Sequence, residues 1–146
     1  MTSCRSTSPS CDVAGYLLDT DTLLWLVRDP AGAVARHVAT VAEEALATSP
    51  IVAGELRVGA ARSGSAVLVE RVDELLARLP VLPLDDRVAR AYGDVRRSLE
   101  RAGSHIGPND LWIAAHALSE ERVVVTGNVR AFRRVVGLGV EDWREG

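Results

Sequence analysis

The chain has 146 residues, 47% hydrophobic and 25% charged, which fits one globular domain with a core of its own and makes two unexpected. Its net charge of −3 argues against a protein that coats nucleic acid non-specifically, though not against an enzyme that holds it locally through metal ions. All 17 basic residues are arginine, which excludes any mechanism that needs a lysine, such as a phosphate-loop lysine or a Schiff base.

Residues 1–15 are rich in Ser and Thr, hold both cysteines, Cys4 and Cys11, and lack the apolar stretch of a secretory signal. They read as a flexible tail ahead of a single domain, 16–146. The cysteine-free body gives no disulfide framework, and a cytoplasmic location is the expectation. No apolar run reaches the ~18 residues that a membrane helix needs. Tyr16–Leu18 fits a buried strand ended by Asp19. Thr20, Asp21 and Thr22 then offer N-cap chemistry for a helix over 23–28, with Asp21 the better cap, and Asp29-Pro30 stops it. A helix over 33–41 and a short strand over 45–48 follow. Ser49-Pro50 is a helix start, a capping hydroxyl before a proline at the first helical position, and Gly64 breaks the helix after Arg62.

Residues 66–79 read as an amphipathic helix with Val69, Val72, Leu75, Leu76 and Leu79 inward, and 80–84 as a short strand. Asp86–Arg101 reads as a helix with Val88, Ala91, Tyr92, Val95 and Leu99 inward. Pro108 opens an apolar, hence buried, helix to Ser119, and residues 122–126 form the clearest strand. A Gly127-Asn128 turn, a short basic helix over 129–135 and a strand over 138–143 close the chain. Strands alternating with helices predict an α/β fold: a mostly parallel sheet of four or five strands flanked by helices. Ligand sites of such sheets lie at the carboxyl ends of strands, which points to Asp19 and to residues 126–128.

Three carboxylates occupy positions that folding alone does not require. Asp19 follows an apolar strand; Glu55 falls on the apolar stripe of Ile51, Val52, Leu56 and Val58; Asp110 opens a buried helix. Each has a structural alternative: a cap, a buried ion pair with arginine, a dipole-favoured acid. Together they form a set of hard oxygen ligands on separate elements, suited to Mg²⁺ or Mn²⁺ and to phosphodiester hydrolysis. Arg130, Arg133 and Arg134 follow the strand-end turn and are expected, with Thr20 and Thr126, to meet the substrate. His116, inside the buried helix, reads as a packed core residue.

Three segments resemble successive motifs of the VapC-type PIN-domain ribonucleases: residues 17–21 (Leu-Leu-Asp-Thr-Asp), 49–56 (Ser-Pro-Ile-Val-Ala-Gly-Glu-Leu) and 106–117, with its Gly107-Pro108-Asn109-Asp110 start. Residues 124–128 and 137–143 are similar to the family's last motifs. The resemblance implies a toxin of a toxin–antitoxin pair, a Mg²⁺-dependent endoribonuclease that arrests translation by cutting tRNA or ribosomal RNA. It implies a homodimer and a small VapB-type antitoxin partner. It carries Asp19, Glu55 and Asp110 over as metal ligands, with Asn128 where the family places a fourth acid, and Ala131 where many relatives hold an acid before Phe132. An Asn there implies a second metal held more weakly. Two rival classes are a PIN fold that only binds and a phosphatase with an Asp nucleophile. The second finds its Asp19-x-Asp21 but has Leu23 where its signature wants a threonine.

Overall fold

The computed structural model describes residues 15–144, so the expected tail, with both cysteines, lies outside the described residues apart from Gly15. Tyr-Leu-Leu forms β1 (Tyr16–Leu18), and the chain turns at once into α1 (Thr20–Arg28). The helix begins earlier than the sequence predicts because Asp19, not Asp21, is its N-cap: Asp19 Oδ1 accepts from Thr20 N at 2.8 Å. α2 (Ala33–Val38) ends short of residue 41, where Thr40 and Val41 tighten into i→i−3 turns. A 3₁₀ turn, Glu43–Ala45, leads into β2 (Leu46–Ala47).

Ser49 Oγ accepts from Ile51 N at 3.1 Å, and Pro50 opens α3 (Pro50–Arg62) as predicted. Ser65 caps α4 (Ala66–Arg78), whose buried line is Leu68 and Val72. Val69, expected inward, is exposed, because the helix is rotated by about one residue so that Leu68 faces the core. The predicted strand over 80–84 shrinks to one parallel bridge between Thr48 and Val81, since Pro80 and Pro83 can donate no ladder bonds.

Asp85 caps α5 (Asp86–Arg101), which packs along α6 (Pro108–Ser119) and stacks Tyr92 on Trp112 with centroids 3.9 Å apart. Leu111, Ile113, Ala114, Ala115, His116 and Ala117 of α6 are all buried, as its all-round apolar sequence requires. β3 (Val123–Val125), α7 (Val129–Phe132) and β4 (Val140–Glu141) complete the fold. The last two are shorter than predicted: after Phe132 the chain continues as i→i−3 turns, and β4 pairs only with Val124 and Val125. Among the described residues no helix is long and apolar enough to cross a membrane.

The sheet has four strands, all parallel, in the order β2-β1-β3-β4. β1 pairs with β3 from Tyr16–Val123 to Leu18–Val125, and Leu17, Leu18, Val124 and Val125 are buried. From β1 the chain moves outward to β2 on one side and later returns to β3 on the other. The order therefore reverses between β1 and β3, and the crevice outside their carboxyl ends is where such sheets place a ligand.

Candidate active site

Asp19 leaves β1 at that crevice. Its backbone N–H donates to Val125 O at 2.9 Å, which extends the β1–β3 ladder by one step and fixes where the side chain emerges. Thr126, next after β3, is fully buried and donates its hydroxyl to Asp19 Oδ2 at 2.7 Å, while accepting from Asn128 N at 2.9 Å. Thr22 Oγ1 donates to Val125 O, and Thr48 Oγ1 to Leu18 O, so the ends of three strands are tied by hydroxyls. The buried threonines thus set the position of one carboxylate to within a hydrogen bond.

Glu55 reaches the same crevice from α3. The buried line of α3 is Val52, Leu56 and Ala60, so Glu55 lies on the flank of the stripe and not at its middle, and Val58 is exposed. Glu55 Oε1 accepts from Thr20 Oγ1 at 2.7 Å and Oε2 from Asn109 Nδ2 at 2.8 Å. A hydroxyl and an amide take the place of the arginine that a structural buried glutamate would use. Asp110, in the first turn of α6, accepts from Asn128 Nδ2 through Oδ2 at 2.9 Å. Asp21, a further acid, accepts from Gly127 N through Oδ2 at 3.0 Å.

These carboxylates feel one another. Burial pushes the Asp19 carboxyl up to about 7, with the charges of Asp21 and Asp110 adding to it, and with Thr126 and the Thr20 N–H opposing. Burial also raises Asp110, against the Asn128 amide, and the charges of Glu55 and Asp21 add to the rise. Asp21 is raised by burial too, against the Gly127 N–H. Three aspartates raised together in one crevice mark a place short of positive charge, which is what a divalent cation would bring. Among the described residues no group of three Asp, Glu, His or Cys side chains is gathered closely enough to hold one ion without rearrangement. The oxygens of Glu55 accept from Thr20 and Asn109, and those of Asp19 from Thr126 and Thr20 N, which leaves each carboxylate further lone pairs. The donor set still fits Mg²⁺, which keeps several waters and needs only one or two carboxylates plus substrate oxygens.

The structure therefore brings together Asp19, Thr20, Glu55, Asp110, Thr126 and Asn128 from the predicted set. The arginines lie on the surface that follows the Asn128 turn. Arg130 and Arg133 are exposed on and just after α7, and Arg134 donates to the His105 carbonyl. His116 is fully buried, with its pKa lowered by that burial, as a neutral core residue should be. Sequence reasoning missed Asp21, taken for a cap, and Asn109, taken for a helix-start residue. Each is recognised by a partner distant in sequence, Gly127 and Glu55 respectively. Gly127 itself is needed for space: a Cβ there would lie 2.6 Å from Trp25 Cη2 and 2.8 Å from Asp21 Oδ2.

Residues 16–138 match the PIN domain. The chain is 36% identical to Ribonuclease VapC1 of Haemophilus influenzae over 130 residues, covering 88% of this chain and 97% of the relative. It is 35% identical over 132 residues to a protein of Salmonella typhimurium named tRNA(fMet)-specific endonuclease VapC, with the same coverage. Among solved structures it resembles VapBC2 of Rickettsia felis bound to a DNA fragment from their promoter, with a TM-score of 0.80, 31% identity, and 88% and 98% of the two chains covered.

Proposed function

This chain belongs to the PIN-domain family, and from that premise we propose that it is the toxin of a toxin–antitoxin pair, an endoribonuclease of the VapC type. The observation that carries the reading is the set of carboxylates at the β1/β3 crevice, Asp19, Glu55 and Asp110, joined by Asp21, on three elements and held by polar partners. A domain that only binds needs no such cluster, and an Asp-nucleophile phosphatase would want a threonine where Leu23 stands and a lysine that the chain lacks. The substrate is RNA, and the Salmonella relative's name favours a tRNA. The partner is a small antitoxin, as in the VapBC complexes that the fold resembles. Self-association into a homodimer and a cytoplasmic place of action complete the proposal.

Asp19 and Asp110, helped by Glu55, would hold the divalent ion, Mg²⁺ or in its place Mn²⁺. Such an ion, when bound, lowers the pKa of a bound water and offsets the charge of the phosphate. Thr126 holds Asp19 from below; being buried, it is a positioning residue rather than a substrate contact. Thr20 and Asn109 orient Glu55, so its carboxylate presents a fixed edge to the crevice. Asn128 contributes a neutral amide beside Asp110, which orients it and adds no charge.

The test is cleavage of bulk bacterial tRNA and ribosomal RNA by the purified protein with Mg²⁺, Mn²⁺ or EDTA, followed by mapping of the new 5′ ends. Cleavage at defined positions, lost in EDTA and in Asp110→Asn, is expected. Intact RNA under every metal condition, from protein shown to be folded, would refute the nuclease reading.

A further inference from the structure

The cation at the lip of the acid cluster is not one of those suggested by the sequence. Arg144, after β4, lays its guanidinium over the indole of Trp25, with Cζ 4.3 Å from the ring centroid. Asp142 fixes the same group, with Oδ2 on Nη2 at 2.8 Å and Oδ1 on Nε at 3.2 Å, and its Oδ1 also accepts from Arg144 N. Trp25 lies one helical turn after Asp21 on α1, and both touch the space beside Gly127; a Cβ on Gly127 would lie 3.2 Å from Arg144 Nη2. The Arg144 charge also works against the rise that burial imposes on the Asp21 carboxyl. An i,i+2 pair on an open surface has no need of an aromatic platform from α1. Here the ring, the carboxylate and the turn together place a guanidinium beside the strand-end turn that carries Asn128.

We infer that Arg144 grips a phosphate of the RNA backbone next to the cleavage position, with Trp25 and Asp142 holding its guanidinium in place. This rests on the RNA-cleaving reading above. An RNA strand entering a crevice lined by Asp19, Asp21, Glu55 and Asp110 meets repulsion at every phosphate except those facing a cation. A guanidinium carries five N–H donors in a fixed fork, so pairing with Asp142 does not preclude a phosphate as second partner. Stacking on Trp25 fixes the plane of the fork before RNA arrives, which lowers the ordering cost of binding. Arg144 and Trp25 are thus a binding residue and a positioning residue, reached from opposite ends of the chain.

The experiment measures binding of fluorescein-labelled bulk tRNA by anisotropy, in Mg²⁺ and in an Asp110→Asn background so that RNA stays intact, across a salt series. Arg144→Ala is expected to raise Kd about 10- to 100-fold, the loss of one charged hydrogen-bonding contact. It should also lower the slope of log Kd against log salt by about one. Arg144→Lys should restore the slope but only part of the affinity. Trp25→Leu, which keeps the charge, should raise Kd by about three- to tenfold with the slope unchanged. Arg90→Ala is the control, since Arg90 pairs with Asp86 on the exposed face of α5. Affinity and slope in Arg144→Ala equal to the control would overturn the inference while leaving the nuclease reading intact. Binding that depends on Arg144 in a protein whose wild type never cuts RNA would support the phosphate contact and sink the nuclease reading instead.

Discussion

Removing the charge of Asp19 should make the metal-free protein more stable, and the effect should depend on pH. The folded carboxyl holds its proton up to about pH 7, against 3.8 in its ordinary state, chiefly because it is buried. Below pH ~4 both states are protonated and the group contributes nothing. Between pH ~4 and ~7 the folded state binds a proton that the unfolded state has lost, so stability falls as pH rises. Above pH ~7 the penalty is complete and, at about 1.4 kcal/mol per pKa unit, is on the order of 4 kcal/mol. That is a large share of the roughly 5–15 kcal/mol that holds a domain together. From pH 5 to pH 8 about two of those units are spanned, about 2.7 kcal/mol, so in EDTA the wild-type Tm should drop by about 5–11 °C, on the usual scaling for a domain of this size. Asp19→Asn keeps an oxygen for the Thr20 N–H, so the helix cap survives, and it should recover roughly half of that drop. Saturating Mn²⁺, at about 100 times its Kd, should add about 2.7 kcal/mol to the wild type at pH 8 and little to the variant. Thermal unfolding followed by circular dichroism at four pH values reads all three. A wild-type Tm that stays flat from pH 5 to 8 in EDTA, or an Asp19→Asn variant less stable at pH 8, would refute the reasoning.

Asp110→Asn should abolish RNA cleavage with native circular dichroism; full activity would remove this carboxylate from the proposed chemistry. Asn128→Asp places a second carboxylate against Asp110 Oδ2, now 2.9 Å from the Asn128 amide. It should lower the Mg²⁺ concentration for half-maximal cleavage and lower Tm in EDTA, and calorimetric titration with Mn²⁺ showing no tighter binding would contradict it. Gly127→Ala must push Trp25 and Asp21 aside, at a cost of about 1–3 kcal/mol by chemical denaturation. It should also slow cleavage; unchanged stability would mean the turn yields freely. Thr126→Val leaves Asp19 Oδ2 without its hydroxyl donor, so cleavage should fall at least tenfold, whereas wild-type rates would show that Asp19 needs no support from below.

The parts of this fold that were legible in the sequence are those fixed by short-range chemistry. Ser49-Pro50 and Gly107-Pro108 mark helix starts to the residue, because a cap and a proline each satisfy a local requirement. Val123–Val125 stands out as a strand because three β-branched residues in a row favour one. Asp19, Glu55 and Asp110 stood out because acids are out of place beside apolar elements, and all three do face one crevice. What the sequence hid depends on partners far along the chain. Asp21 reads as a cap until Gly127, 106 residues away, is seen to donate to it. The setting of Glu55 was misjudged because Val58 was counted in a stripe that Val52, Leu56 and Ala60 form by themselves. The strand over 80–84 failed because its two prolines remove donors that a β-propensity argument does not count.

The hydroxyl that steadies Asp19 belongs to a residue 107 positions later, and β3 must slide in beside β1 before the two can meet. At the usual pace of synthesis, about 5–20 residues per second, roughly 5–20 s pass between the emergence of the one and of the other. Throughout that interval a ribosome making the chain is exposed only to fragments of a nuclease: an acid at the end of β1, then others on α3 and α6, with β3 not yet in place beside them. Latency during birth is thus written into the strand order. The crevice becomes whole only when synthesis of the chain is nearly finished.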